Sequence, residues 1–244
     1  MSVRVAVVTG AGRGIGRGCA IALAESGADV VAIARTRREV ESVAEEVEAL
    51  GRGARAVVCD VTDARRLERV MRSLERVDVL VNAAGTNVPE PFLDVAESSL
   101  DALLAANVKG TFLATQAAAR RMVAAGNGGA IVNVSSQMGH VGAPRRSVYC
   151  ATKHAVEGLT KALAIELAPH GIRVNSVAPT FVETSMTAPF LADDAFRADV
   201  LERIPLGRIG SVSDVVGAVV FLASPAAGLV TGASLLVDGG WTAQ

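Results

Sequence analysis

Much of what this 244-residue sequence lacks narrows its function. It has only three cysteines, Cys19, Cys59 and Cys150. The number is odd and all three fall in regular-looking segments, so a disulfide framework is not expected and a reducing cytoplasm is the natural setting. Charge is nearly balanced, at −1, and no basic block interrupts it, which argues against a nucleic acid or an acidic membrane as partner. No apolar run approaches the roughly 20 residues that span a bilayer. The first residues lead straight into a strand-like run with no basic-then-apolar leader pattern, again pointing to the cytoplasm. No His, Cys or Asp cluster has the spacing of a metal site, so no metal is expected. Repeats, linkers and low-complexity stretches are missing as well.

What is present is apolar residue in quantity, half the chain. It is arranged as short β-branched runs alternating with helical periods. The runs are Val3–Val8, Asp29–Ala34, Ala54–Cys59, Val77–Val81, Ala130–Val134, Ile172–Ala178 and a last one at Ser234–Asp238. Continuous rather than alternating hydrophobicity marks strands buried on both faces. Helices are expected at Arg17–Ser26, Val40–Leu50, Asp63–Leu74, Ser98–Ala125, Val148–Ala168 and Asp214–Ser224. The alternation predicts one α/β domain over residues 1–244, a doubly wound seven-stranded parallel sheet with helices on both faces, Rossmann-like. Ligands of such sheets lie outside the strand C-termini.

The chemistry-bearing residues all fall at such ends. Thr9-Gly10-Ala-Gly-Arg13-Gly14-Ile15-Gly16 joins the first strand to the first helix. Glycines there let backbone approach a pyrophosphate, and the helix N-terminus offers free N–H groups. After the second strand, where a carboxylate would bind an adenosine ribose, stand Ala34 and Arg35. Arg35 and Arg13 supply forks for a 2′-phosphate, so NADP(H) is favoured over NAD(H). Arg37 and Arg38 oppose the dipole of the next helix, and serve either the same phosphate or solvent. Ser136 closes the fifth strand. Tyr149 and Lys153 follow four residues apart, hence on one helix face. An ammonium so placed is expected to lower the phenol pKa toward the range useful for proton transfer.

Together these motifs resemble the short-chain dehydrogenase/reductase family, in the family's order over essentially the whole chain. The resemblance implies a catalytic tetrad of Asn107, Ser136, Tyr149 and Lys153, with Ser135 the alternative serine. It implies nicotinamide-cofactor contacts at Gly10, Arg13, Ile15, Gly16, Arg35, Asp60, Val61, Asn82, Gly85, Tyr149, Lys153, Pro179, Val182 and Thr184. Two residues depart from the family pattern: Ala83 replaces an asparagine before Ala84-Gly85, and Thr180 replaces a glycine after Pro179. The implied reaction is reversible oxidation of a secondary alcohol, or reduction of its ketone, on a small polar molecule. Gln137, His140 and Tyr149 are the expected substrate contacts, although His140 reads equally as a rim residue. Their polarity favours a polyhydroxylated substrate, with sugar or polyol dehydrogenases and 3-oxoacyl-carrier reductases both open. Arg145 and Arg146 read an acidic substrate or a phosphopantetheine, or are surface charge. Residues 184–203 are diffuse in pattern and suit a mobile lid. A homotetramer is the family expectation, and a non-enzymatic dinucleotide sensor is the rival from another class.

Overall fold

A computed structural model describes residues 4–244. Seven parallel strands form one sheet in the order β3-β2-β1-β4-β5-β6-β7. They are β1 (Val5–Thr9), β2 (Asp29–Ala34), β3 (Ala54–Val58), β4 (Val79–Asn82), β5 (Gly129–Val134), β6 (Ile172–Pro179) and β7 (Ser234–Val237). Val3, expected to begin the first strand, lies outside the described residues. Register is direct: Val7 pairs with Val31 on one side and Leu80 on the other. Strand order reverses between β1 and β4, which opens the crevice there.

Successive strand residues face opposite layers. Ala6, Val8, Val30 and Ala32 join one buried cluster with Leu23, Val43 and Val219; Val7, Val31, Ile33 and Leu80 join another with Leu67, Met71 and Met122. The first layer holds α1 (Gly14–Glu25), α2 (Arg37–Ala49) and α9 (Val212–Ala223). The second holds α3 (Ala64–Arg72), α5 (Gly110–Ala125) and α6 (Ser147–Leu167). Each fully buried Leu or Ile contributes roughly 1.5–3 kcal/mol of transfer free energy.

Three differences from the sequence reading matter. First, α1 and α2 each begin three residues early, at Gly14 and Arg37, because helical turns formed there precede the apolar period. Second, the expected helix Ser98–Ala125 is divided: α4 (Glu97–Leu103), a π turn at Leu104–Lys109, then α5. Third, the diffuse stretch carries α7 (Ala188–Leu191) and α8 (Asp194–Glu202), the latter capped by Asp193, which accepts N–H bonds from Ala195 and Phe196 at 3.0 Å. These helices have a small core of their own, Leu191, Val200, Ile204 and Ile209, with Phe181, Phe196 and Trp241 packed on it. Among the described residues no helix is long and apolar enough to cross a membrane.

Candidate active site

A cleft of about 510 Å³ runs along the strand C-termini. Its floor at one end is the β1–α1 turn. Gly10 has φ +67°, and a Cβ there would stand 2.6 Å from Ala84 N; a Cβ at Gly16 would overlap the Gly10 carbonyl. Both positions therefore need glycine for the chain to close on itself. The first turn of α1 contains no acidic residue, and its N-cap, Arg13, makes no side-chain cap bond. Its N–H groups are thus free to receive a pyrophosphate. Thr9 ties this turn to the next strand, its carbonyl accepting Ala83 N–H at 3.2 Å.

Arg13, Ile15, Arg35, Asp60 and Val61 line the adjacent wall. The Asp60 carboxyl is held below its usual range by N–H and hydroxyl donors of Thr62, at 2.8 and 2.7 Å, and by Arg35. Arg37 faces away and pairs with Glu41 at 3.2 Å. Several lining residues escaped the sequence reading, among them Thr86, Met186, Thr187 and, on this wall, Glu39, whose carboxylate would touch a side chain placed at Gly12. Placing the start of α2 at Arg37 would have revealed Glu39.

At the other end Gly85, Ser136, Tyr149, Lys153, Pro179, Val182 and Thr184 share the lining. Asn82 does not: it is buried beneath, where its amide donates to Thr115 Oγ1 at 2.8 Å and Asn133 Oδ1 at 2.9 Å. Asn133 donates in turn to Thr160 Oγ1 at 2.9 Å. This polar ladder fastens α5 and α6 to the ends of β4 and β5. Asn107 also stands behind the wall, in the π turn. Its amide brackets Thr86, accepting its N–H at 2.8 Å and donating to its carbonyl at 2.9 Å, and reaches Thr152 Oγ1 at 3.0 Å. The Asn107 carbonyl accepts from Thr111 Oγ1 at 2.8 Å.

Ser136 Oγ donates to Gln137 Oε1 at 2.8 Å and accepts Met138 N–H at 3.1 Å. Gln137 is thereby buried against the serine rather than lining the cleft. His140 is also turned elsewhere, to Ser234 Oγ at 3.0 Å and the buried Glu157 at 3.4 Å. A short turn of residues 137–139 sets both directions, which no periodicity in the sequence encodes. Ser135 and Thr180 line the cleft with buried hydroxyls that have no partner. Such orphaned polar atoms, together with the glycine cradle, fit a polar ligand of dinucleotide size.

The expected effect of Lys153 on Tyr149 is corrected. Tyr149 is the sole tyrosine, half-buried, and burial pushes its phenol up to about 12; Ser136 and Arg146 oppose the shift without reversing it. Lys153 is buried and pushed down to about 8 by desolvation. Its ammonium lies 5.6 Å from the phenol ring centroid and donates to the Val134 carbonyl at 2.9 Å. Desolvation wins because the cation is turned to backbone.

The family described as enoyl-(acyl carrier protein) reductase matches residues 10–242. L-Xylulose reductase from Homo sapiens is 43% identical over 240 residues, covering 98% of this chain and 97% of that one. 2-Dehydro-3-deoxy-D-gluconate 5-dehydrogenase from Escherichia coli K12 is 40% identical over 245 residues, covering 99% and 96%. A gluconate 5-dehydrogenase from Burkholderia cenocepacia, solved with NADP and tartrate, superposes with a TM-score of 0.96 at 36% identity, covering 100% and 97%. With a nucleotide cradle, a serine at a strand end and a Tyr–Lys pair in one cleft, and with these relatives, the chain belongs to the short-chain dehydrogenase/reductase family of nicotinamide-dependent oxidoreductases.

Proposed function

We propose that the enzyme reduces a keto group of a polyhydroxylated, sugar-derived molecule, or oxidises the matching alcohol, with NADP(H) preferred to NAD(H). One observation carries the reading: Ser136, Tyr149 and Lys153 converge on one cleft, with Asn107 directly behind it. The relatives named above act on a ketose and on sugar acids, which supports the substrate class. Arg13 and Arg35 support the 2′-phosphate, set against two carboxylates on the same wall, Glu39 and Asp60.

When bound, the cofactor supplies or accepts the hydride. Tyr149 gives its proton to the substrate oxygen during reduction. The phenol is protonated at neutral pH and so is available as donor, although burial makes it a weaker acid than a free tyrosine. Ser136 turns its hydroxyl from Gln137 to the oxygen as charge develops. Lys153, titrating at about 8, can pass a proton toward the phenol near neutrality. Asn107 fixes the Thr86 backbone and the start of α6 through Thr152, keeping the wall of the cleft in register.

One unit over residues 1–244 holds both cofactor and chemistry in this reading. The outer faces of α5 and α6 expose Phe112, Val123 and Ile165, which supports a homotetramer built on these helices. Three buried, unbridged cysteines support a reducing cytoplasm. Steady-state turnover of keto sugars with NADPH is the test. Tyr149→Phe should lose about 10²–10⁴-fold in kcat with NADPH binding retained. Near wild-type rates in that variant remove Tyr149 from the mechanism.

A further inference from the structure

The two arginines ahead of α6 have opposite fates. Arg145 is exposed and has a φ of 59°, the only positive value at a non-glycine among the described residues. Its carbonyl accepts Glu90 N–H at 3.1 Å, which holds the strained residue in place. The next side chain goes inward: Arg146 is 6% exposed. Its guanidinium carbon lies 5.1 Å from the centroid of the Phe190 ring. Among the described residues no carboxylate forms an ion pair with it. An arginine buried without an anion is rare, because desolvation of the fixed charge goes uncompensated.

Arg146 sits three residues before Tyr149 at the start of α6, and its charge acts on the Tyr149 phenol. Opposite, the lid residues Met186 and Thr187 line the cleft, and Phe190 follows them in α7. Arg146 and Phe190 do not themselves line the cleft, so a molecule held between Tyr149 and the lid meets the guanidinium only where the Phe190 ring gives way. The pyrophosphate cradle belongs to a different segment, the β1–α1 turn.

We propose that Arg146 binds a carboxylate of the substrate, so that the enzyme acts on sugar acids, polyhydroxylated keto or hydroxy acids, in preference to neutral sugars. The planar fork matches a carboxylate in two parallel hydrogen bonds, and the Phe190 face keeps it flat. The inference rests on the reaction proposed above and names its substrate class.

A keto acid and a ketose separate the alternatives. 5-Keto-D-gluconate and L-sorbose differ only in a carboxylate against a hydroxymethyl group at the end remote from the ketone. With NADPH, the wild type should favour the keto acid at least about tenfold in kcat/KM. Arg146→Gln should raise KM for the acid about 10- to 100-fold and change KM for L-sorbose less than about twofold, any effect of the lost charge on Tyr149 falling on kcat of both substrates alike. Arg146→Lys should fall between, keeping the charge without the fork. An equal rise in KM for both substrates, or a wild-type preference for L-sorbose, overturns the proposal. Calorimetric titration of D-gluconate into the NADPH complex is a second readout. Binding that Arg146→Gln abolishes, without turnover of either substrate, would keep the carboxylate site and discard the proposed reaction. Turnover of the keto acid indifferent to Arg146→Gln, or no binding of either acid, would discard the carboxylate site.

Discussion

Lys153 makes a prediction about stability that does not depend on knowing the substrate. The group titrates at about 8 in the fold against an ordinary 10.5. Below pH 8 it is charged in both folded and unfolded chains, and its burial destabilises the fold by about 3 kcal/mol. Between 8 and 10.5 the unfolded chain holds a proton that the folded chain has released. Stability therefore rises with pH in that window, by up to about 1.4 kcal/mol per unit. Tyr149 works in the opposite sense, but only above its unfolded value near 10. The buried thiols, also pushed up, subtract from stability above about 9 in any variant. The perturbation is Lys153→Met, which keeps the stem and removes the titration. It also deprives the Val134 carbonyl of a donor, a loss that displaces the whole curve and leaves its slope alone. Urea unfolding of cofactor-free wild type and variant, at pH 7, 8 and 9 and one protein concentration, isolates the difference. Wild type should gain on the variant by about 1 kcal/mol between pH 7 and 9. Parallel curves, or a relative loss by wild type, would show that Lys153 is not desolvated as its surroundings imply.

Three other substitutions probe separate parts of the cleft and fold. Arg35→Ala should weaken NADPH binding about 10- to 100-fold in a fluorescence titration while leaving NADH unchanged, since only the 2′-phosphate loses a charged donor. Gly16→Ala drives a methyl group into the Gly10 carbonyl, so NADPH affinity should fall at least about tenfold; unchanged affinity would mean that the turn relaxes freely. Gly217→Ala, exposed in the middle of α9 with nothing within 4 Å of the added carbon, should raise stability to urea by about 0.5–1 kcal/mol.

The parts legible in the sequence were those written in local chemistry. Strands buried on both faces need unbroken apolar runs, so seven such runs gave the sheet. Gly10 and Gly16 stand where backbone meets backbone, and Ser136, Tyr149 and Lys153 stand where strand and helix ends meet. Less visible were features that depend on what packs across. Glu39 reaches the cleft only because α2 starts at Arg37, ahead of its apolar stripe. The directions of Gln137 and His140 follow from one short turn and from Ser234, 94 residues further along than His140. Helix α8 was hidden because its apolar residues are few and part of its cover, Trp241, is remote in sequence. The Tyr149 phenol was misjudged because spacing reveals a neighbouring charge but not the dielectric around it.

The π turn ahead of α5 is an α-helix carrying one surplus residue, closed where the Gly110 N–H reaches back five residues to the Ala105 carbonyl. That insertion advances the phase of the helix by about 100°. Asn107 can then look toward Thr86 and Thr152 while Ala114 and Ala118 keep to the core. A single continuous helix would force a choice between filling the interior and furnishing the catalytic wall; the extra residue lets one rod do both.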